Sequence, residues 1–221
     1  MTKIIGINGI AGSGKNTVAD YICDKYENWK QMAFADTLKD VVATCFSWDK
    51  EMIYGNTPEA RTQREEVDTF WSKELGIENF TPRMALQLIG TDLFRNKFNE
   101  HFWISSLKKK IKESLNHIVI TDLRFENEME MIRAMGGQVV QVVRGELPRW
   151  YEEAAEINVH CKEQPFLNAE TLYKRSSAIS QVHPSEYALA GIIDPDYVIQ
   201  NNETLDDLHK SVDKMMSELY D

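Results

Sequence analysis

"GINGIAGSGKNTVAD", residues 6–20, is where an apolar run gives way to a glycine-rich loop and then to a helical pattern. Its spacing, Gly9-x-x-x-x-Gly14-Lys15, is that of a phosphate-binding loop. Residues 3–8 (KIIGIN) read as a short buried strand, and residues 15–26 as a helix with Val18, Ala19 and Ile22 on one side. The chemistry needs that order. Glycines let the backbone curl so that successive N–H groups point at phosphate oxygens, and the helix N-terminus adds the positive end of its dipole. Lys15 then brings a mobile charge to the β and γ phosphates of a nucleotide. Where the usual loop has Ser or Thr to hold magnesium, this chain has Asn16, and a hydroxyl follows one place late as Thr17. One helical residue is a rotation of about 100°, so Thr17 does not take over that task. A switch GTPase that clamps magnesium through the hydroxyl is therefore disfavoured. Magnesium keeps several waters in most phosphate sites, so the ion is reached through phosphates and water, with no direct protein ligand required.

Outward from the loop, strand and helix patterns alternate. Residues 31–35 read as a weak second strand, and Asp36 as the cap of a helix carrying Leu38, Val41, Val42 and Cys45. Residues 48–80 are polar and irregular, with Phe70 and Trp71 among them. Thr81-Pro82 starts a helix that runs to about 98, and another covers 102–115. Residues 117–121 (HIVIT) form a third strand, 125–135 a helix stopped by Gly136-Gly137, and 138–143 (QVVQVV) a fourth strand. Residues 145–182, broken by Pro148 and Pro165, have no strand pattern; 197–200 is a fifth strand, and Thr204 caps the last helix. The expectation is an α/β fold with a parallel sheet and helices on both faces. Ligands of such sheets bind outside the carboxyl ends of the strands. The glycine loop, Asp122 and Arg144 all follow strands and so fall on that edge.

The chain has 221 residues, 43% of them apolar, enough for one well-buried core. A net charge of −10 and a pI near 5.1 argue against nucleic-acid or anionic-membrane partners, which are bound through clustered Lys and Arg. Cys23, Cys45 and Cys161 are scattered, so buried filler in a reducing cytoplasm is expected rather than a disulfide framework. No apolar run approaches the ~20 residues that span a bilayer, and no basic-plus-apolar signal region opens the chain. A soluble intracellular protein is the expectation.

Two further motifs carry chemistry. In "HIVITDLRFENE" (117–128) an apolar strand ends in Asp122, with Arg124 two residues on. In extended chain these side chains share a side. Asp122 is placed to orient metal-bound water, and Arg124 to stabilise a transferring phosphoryl group. In "TPRMALQLIGTDLFRNKF" (81–98) Leu86, Leu88, Ile89 and Leu93 are assigned to the core, and Arg83, Gln87 and Thr91 to a polar stripe. Gly90 costs about 1 kcal/mol against alanine in a helix and marks close approach by a ligand or another helix.

Four segments together resemble the bacteriophage deoxynucleoside monophosphate kinases. They are Gly14-Lys15-Asn16-Thr17, "LQLIGTD" (86–92), "TDLRFENEMEMIRAMGGQVVQVVR" (121–144), and "HPSE" (183–186) before "PDYVIQNNETLDDL" (195–208). Residues 48–80 and 145–182 match less well. The resemblance implies one P-loop kinase domain over 1–221, sheet order 2-3-1-4-5, an acceptor-binding excursion at about 48–100 and a lid-like insertion at about 145–182. It implies ATP and magnesium as cofactors and transfer of the γ-phosphoryl to a deoxynucleoside 5'-monophosphate, in the cytoplasm of a host cell if the source is a phage. A homodimer is compatible with it.

By that resemblance Gly9, Ala11, Gly12, Ser13, Gly14, Lys15, Asn16 and Thr17 hold the ATP phosphates, and Lys15, Asp122 and Arg124 are the catalytic set. Gln87, Thr91 and Asp92 bind the acceptor, with Asp36 and Lys39 beside it. Arg61, Arg64, Arg149 and Arg175, in the excursions, are the arginines placed to reach phosphates on closure, and Arg144, after the fourth strand, is counted with the substrate-binding residues. Glu186 is read as a contact to sugar or base, or as a helix cap. Relatives often have Asp at the place of Asn16, whose amide cannot act as acid or base. The rival readings are a kinase of another small acceptor, of the dephospho-coenzyme A or sugar-acid type, and a nucleotide switch without turnover.

Overall fold

The computed structural model describes residues 2–164 and 166–220; Pro165, counted above among the breaks of 145–182, lies outside them. In chain order the elements are β1 (Ile4–Asn8), α1 (Lys15–Lys25), β2 (Trp29–Met32), α2 (Asp36–Phe46), α3 (Lys50–Tyr54), α4 (Pro58–Gln63), α5 (Thr69–Leu75) and α6 (Pro82–Gln87). A π-helical segment (Leu88–Phe98) continues α6, and α7 (Phe102–Glu113), β3 (His117–Ile120), α8 (Glu126–Ala134) and β4 (Gln138–Val143) follow. The chain ends with α9 (Arg149–Glu163), α10 (Ala169–Arg175), α11 (Pro184–Tyr187), β5 (Tyr197–Gln200) and α12 (Leu205–Tyr220). It divides into two compact units, Met1–Met32 with Ser114–Asp221, and Ala33–Glu113.

The first unit holds the sheet. All five strands are parallel, in the order β2-β3-β1-β4-β5, which is the 2-3-1-4-5 order that the resemblance implies. The strands are short apolar runs because both faces are covered. On one face Val18, Ala19 and Ile22 of α1 and Leu208, Val212, Met215 and Met216 of α12 pack with Ile5, Ile7, Val119, Val140 and Val142. Each such aliphatic side chain contributes about 1.5–3 kcal/mol by leaving water. Thr204 accepts from the N–H of Asp207 and caps α12 as its pattern suggested. The second strand begins at Trp29, two residues before its expected start. Trp29 is buried edge-on against His117, its partner in the register with β3, and this anchor outweighs the weak alternation of 31–35.

The second unit is helical and corrects three readings. Residues 48–80 contain α3, α4 and α5, started by the caps Asp49, Thr57 and Asp68. Phe46, Trp48, Trp71 and Phe80 cluster there, with Phe46 and Trp48 stacked at 4.4 Å and the Trp71 indole donating to the carbonyl of Phe46. The helix expected over 81–98 changes to π geometry at Leu88, which breaks the 3.6-residue period, so Leu88 and Leu93 are exposed rather than in the core. Gly90 is the close approach: a Cβ there would lie 2.5 Å from Leu38 Cδ2 of α2, and the Trp103 indole of α7 donates to the Gly90 carbonyl at 3.0 Å. Asp36 is the first residue of α2 rather than its cap, and its carboxylate turns back to accept from the N–H of Ala33 at 2.7 Å. Cys45 is exposed and is not the filler expected, whereas Cys23 packs partly buried against the core of the first unit and Cys161 is partly covered. Among the described residues no helix is long and apolar enough to cross a membrane.

Candidate functional site

In the first unit the glycine loop leaves the carboxyl end of β1 and runs into α1. Three of its backbone positions require glycine. Gly9 has φ +154°, and a Cβ there would lie 2.4 Å from the Val142 carbonyl oxygen of β4. Gly14, the cap position of α1, has φ +104°, with the Asn201 amide 2.4 Å from where its Cβ would be. Gly12, at φ +80°, meets nothing within 4 Å and so leaves the loop open on that side. Among the described residues no side chain caps α1, which leaves its first N–H groups without a capping acceptor and with the helix dipole behind them. Asn201, after β5, donates to the Ser13 carbonyl at 2.8 Å and steadies the loop. The Ser13 hydroxyl is buried without a partner among the described residues. A buried hydroxyl of this kind has hydrogen-bonding capacity left for a ligand oxygen or a water. The cradle fits a polyphosphate. Asn16 and Thr17 are exposed on the first turn.

Lys15 bends back over its own loop, donating to the carbonyls of Gly9 at 2.7 Å and Ile10 at 2.8 Å. Burial, with the Arg124 charge adding to it, lowers its pKa to about 8, while Glu186 pulls the other way. Arg124 and Lys15 therefore share one electrostatic environment. The turn that carries Arg124 is built by residues the sequence reading overlooked. Asn8, at the end of β1, donates to the Leu123 carbonyl at 2.9 Å. The buried carboxylate of Glu128 accepts from the N–H groups of both Arg124 and Phe125. Glu128 sits four residues past Arg124 in the first turn of α8, and that spacing was the available signal. Asp122 follows β3 on the same edge and is partly buried. Arg144 follows β4 and is exposed.

Glu186 is not a cap, since His183 caps α11. Its Oε1 accepts from Arg124 Nη1 at 2.5 Å, and its Oε2 accepts from the N–H of Ala11 at 3.1 Å. Gly9, Ile10, Arg124, Val142, Tyr151 and Glu186 line a narrow cleft. Lys15, Arg124, Glu186 and the glycine loop are thus brought together inside one unit.

The acceptor candidates lie in the second unit. Lys39 Nζ lies 5.0 Å over the ring of Tyr54, a cation–π contact. The Tyr54 phenol is pushed up to about 12 by burial and by the charges of Asp36 and Asp40. Arg61 donates from Nε to the Gly55 carbonyl at 3.0 Å. Arg64 covers Gly55, whose Cβ would meet its guanidinium carbon at 2.4 Å. Asp36, Lys39, Arg61 and Arg64 therefore gather around Tyr54-Gly55. Gln87, Thr91 and Asp92 are exposed at the junction of α6 and the π-helical segment.

A family model described as deoxynucleotide monophosphate kinase matches residues 50–171. The match runs through most of 48–80 and 145–182, the stretches that the resemblance left outside. A putative deoxynucleotide monophosphate kinase of Acanthamoeba polyphaga mimivirus is 29% identical over 223 residues, covering 95% of this chain and 93% of that protein. The deoxynucleoside-5'-monophosphate kinase of Escherichia phage T5 is 28% identical, covering 60% of this chain and 72% of that protein. The deoxynucleotide monophosphate kinase of Enterobacteria phage T4 is 23% identical, covering 64% of this chain and 81% of that protein.

Proposed function

The chain belongs to the deoxynucleotide monophosphate kinase family, and from that premise we propose that it transfers the γ-phosphoryl group of ATP to a deoxynucleoside 5'-monophosphate. An acceptor phosphate oxygen forms a bond to the γ-phosphorus as the β,γ-bridging bond breaks, giving a deoxynucleoside diphosphate and ADP. The single observation that carries the reading is the convergence of Lys15, Arg124 and a glycine loop with an uncapped helix start, inside a chain of this family.

The monophosphate oxygen is already a competent nucleophile, so positioning and charge neutralisation are the main demands and no strong base is needed. N–H groups of Ala11 to Lys15 and the Lys15 ammonium would hold the β and γ phosphates. The Arg124 guanidinium, on a turn whose backbone N–H groups are held by Glu128, would neutralise the moving phosphoryl group. Magnesium would supply further neutralisation, with Asp122 holding its water rather than the ion. Acceptor recognition is assigned to Asp36, Lys39, Arg61, Arg64, Gln87, Thr91 and Asp92. Arg144 is a further phosphate contact, and 145–182 is the lid that excludes water and so limits ATP hydrolysis. The test is a coupled ADP-release assay with ATP against each deoxy- and ribonucleoside monophosphate. ADP release that depends on a deoxynucleotide acceptor is expected. Release with no acceptor preference, or none with any acceptor, would overturn the reading.

A further inference from the structure

The carboxylate of Glu186 stands on ground that the proposed function gives to phosphate. One oxygen accepts from a loop N–H, that of Ala11, and the other from the guanidinium assigned to the phosphoryl group, that of Arg124. Two anionic oxygens bridging such donors stand in for two of the three oxygens of a terminal phosphoryl group. The position of Glu186 is held from several sides. The His183 imidazole caps α11 by accepting from the N–H of Ser185 at 3.2 Å. Ser185 accepts from the same Arg124 Nη1, at 3.2 Å to its hydroxyl and 3.5 Å to its carbonyl. Buried Asn158 of α9 donates to the carbonyls of Tyr187 and Ala190, both at 2.8 Å, and ties the following turn to the body of the unit. Electrostatics agree with this placement. Burial opposes the charge on Glu186, yet Arg124, the Ala11 N–H and Lys15 outweigh it and hold the carboxyl below its ordinary range. Glu186 in turn offsets the repulsion between Arg124 and Lys15.

We propose that Glu186 is an internal anion that occupies the phosphoryl subsite of the loop, and that a nucleotide polyphosphate binds by displacing it from Ala11 and Arg124. The inference rests on the kinase reading above. It differs from a sugar or base contact in the sign of its effect. A contact to the nucleotide strengthens binding, whereas an internal competitor weakens it by the fraction of molecules in which the subsite is filled.

The test is calorimetric titration of the full-length wild type, Glu186→Gln and Glu186→Asp with magnesium-ATP and, separately, with inorganic tripolyphosphate. Glu186→Gln is expected to bind both probes about tenfold tighter, the scale of one charge-assisted hydrogen bond lost by the competitor. Glu186→Asp keeps the charge but is one methylene too short to bridge both donors, so it too should bind tighter. Tighter binding by Glu186→Gln with Glu186→Asp unchanged would mark a general charge effect and overturn the displacement. Weaker binding by both variants would overturn it in favour of a direct contact. Equal affinities in all three proteins would overturn this inference while the kinase reading stands. Failure of all three to bind either probe would overturn both. If Glu186→Gln does not fold, Glu186→Asp carries the same comparison alone.

Discussion

The buried carboxylate of Glu128 accepts from the backbone N–H of Arg124 at 2.9 Å, so an acidic side chain on α8 sets the direction in which a neighbouring guanidinium leaves the chain. The same oxygen takes the N–H of Phe125 at 3.1 Å. Removing an acceptor of this kind strands two donors, at about 1–3 kcal/mol for the lost partner. Glu128→Ala should therefore lower stability by about 2–3 kcal/mol in denaturant unfolding and also reduce kcat at least tenfold. Glu128→Gln retains a carbonyl oxygen and should recover most of the turnover. Equal loss in both variants would mean that the carboxylate charge, and not its grip on the turn, is what matters.

Lys15 and Arg124 test the heart of the site. Lys15→Ala and Arg124→Ala should each lower kcat by a factor of about 10³ or more, in line with losses seen when a charged group acts on a transferring phosphoryl. The circular dichroism spectrum should stay that of the wild type, so that the loss of turnover is not a loss of fold. Near-normal turnover in either purified variant removes that residue from the mechanism.

The pH behaviour of Lys15 follows from its lowered pKa of about 8, caused by burial and then by the Arg124 charge. A lysine whose folded pKa is below its unfolded value binds its proton more weakly in the fold. The unfolded chain therefore holds more protons between about 8 and its ordinary 10.5, and stability from this group rises with pH across that window. Below about pH 8 the fold carries the cost of a partly buried charge. Polyphosphate favours the ammonium, so binding should take up a proton near pH 8.5 and almost none near pH 6.5. Titrations in buffers of different ionisation enthalpy measure this directly. Uptake that persists in Lys15→Met would assign the proton to another group.

Much of the first unit could be read from the chain, for a physical reason. A parallel strand buried on both faces is a short apolar run, and a loop that approaches phosphate must be glycine-rich, so 3–20 and 117–124 announce themselves. The strand order could not be read this way, since periodicity carries no information on which run lies beside which; the family resemblance supplied it. The π-helical segment was illegible because the local pattern of 81–98 still looks like an ordinary helix, while the contacts of its Gly90 are with Leu38 and Trp103, remote in sequence. Glu186 reads from the sequence only as a carboxylate, because its partners Ala11 and Arg124 lie 175 and 62 residues away along the chain.

Two loop glycines make a stability contrast. Gly9→Ala would put a methyl 2.4 Å from a backbone oxygen of β4, which cannot swing aside as a side-chain tip can. Gly12→Ala meets open space and pays only for its left-handed φ of +80°. Gly9→Ala should cost about 3 kcal/mol, combining overpacking with backbone strain, and Gly12→Ala about 1 kcal/mol. Chemical denaturation of the two variants checks the order. A Gly12→Ala protein less stable than Gly9→Ala would mean that the β4 carbonyl gives way more easily than close packing of sheet backbone allows.

Asn16 lies exposed on the first turn of α1, between Lys15 and the exposed Thr17. An amide there can neither take a proton nor anchor a divalent ion strongly, so the reaction as proposed does not route through it. Asn16→Asp adds a carboxylate at a helix N-terminus, where the dipole favours negative charge by about 0.3–1 kcal/mol. It also places an oxygen anion where water of a magnesium ion would be oriented. Stability should rise slightly, and kcat should be retained or raised, with the magnesium concentration for half-maximal rate falling. A collapse of kcat with an unchanged melting temperature would show that the neutral amide has a specific contact to the transferring phosphates, and Asn16 would then join Lys15 and Arg124 in the catalytic set.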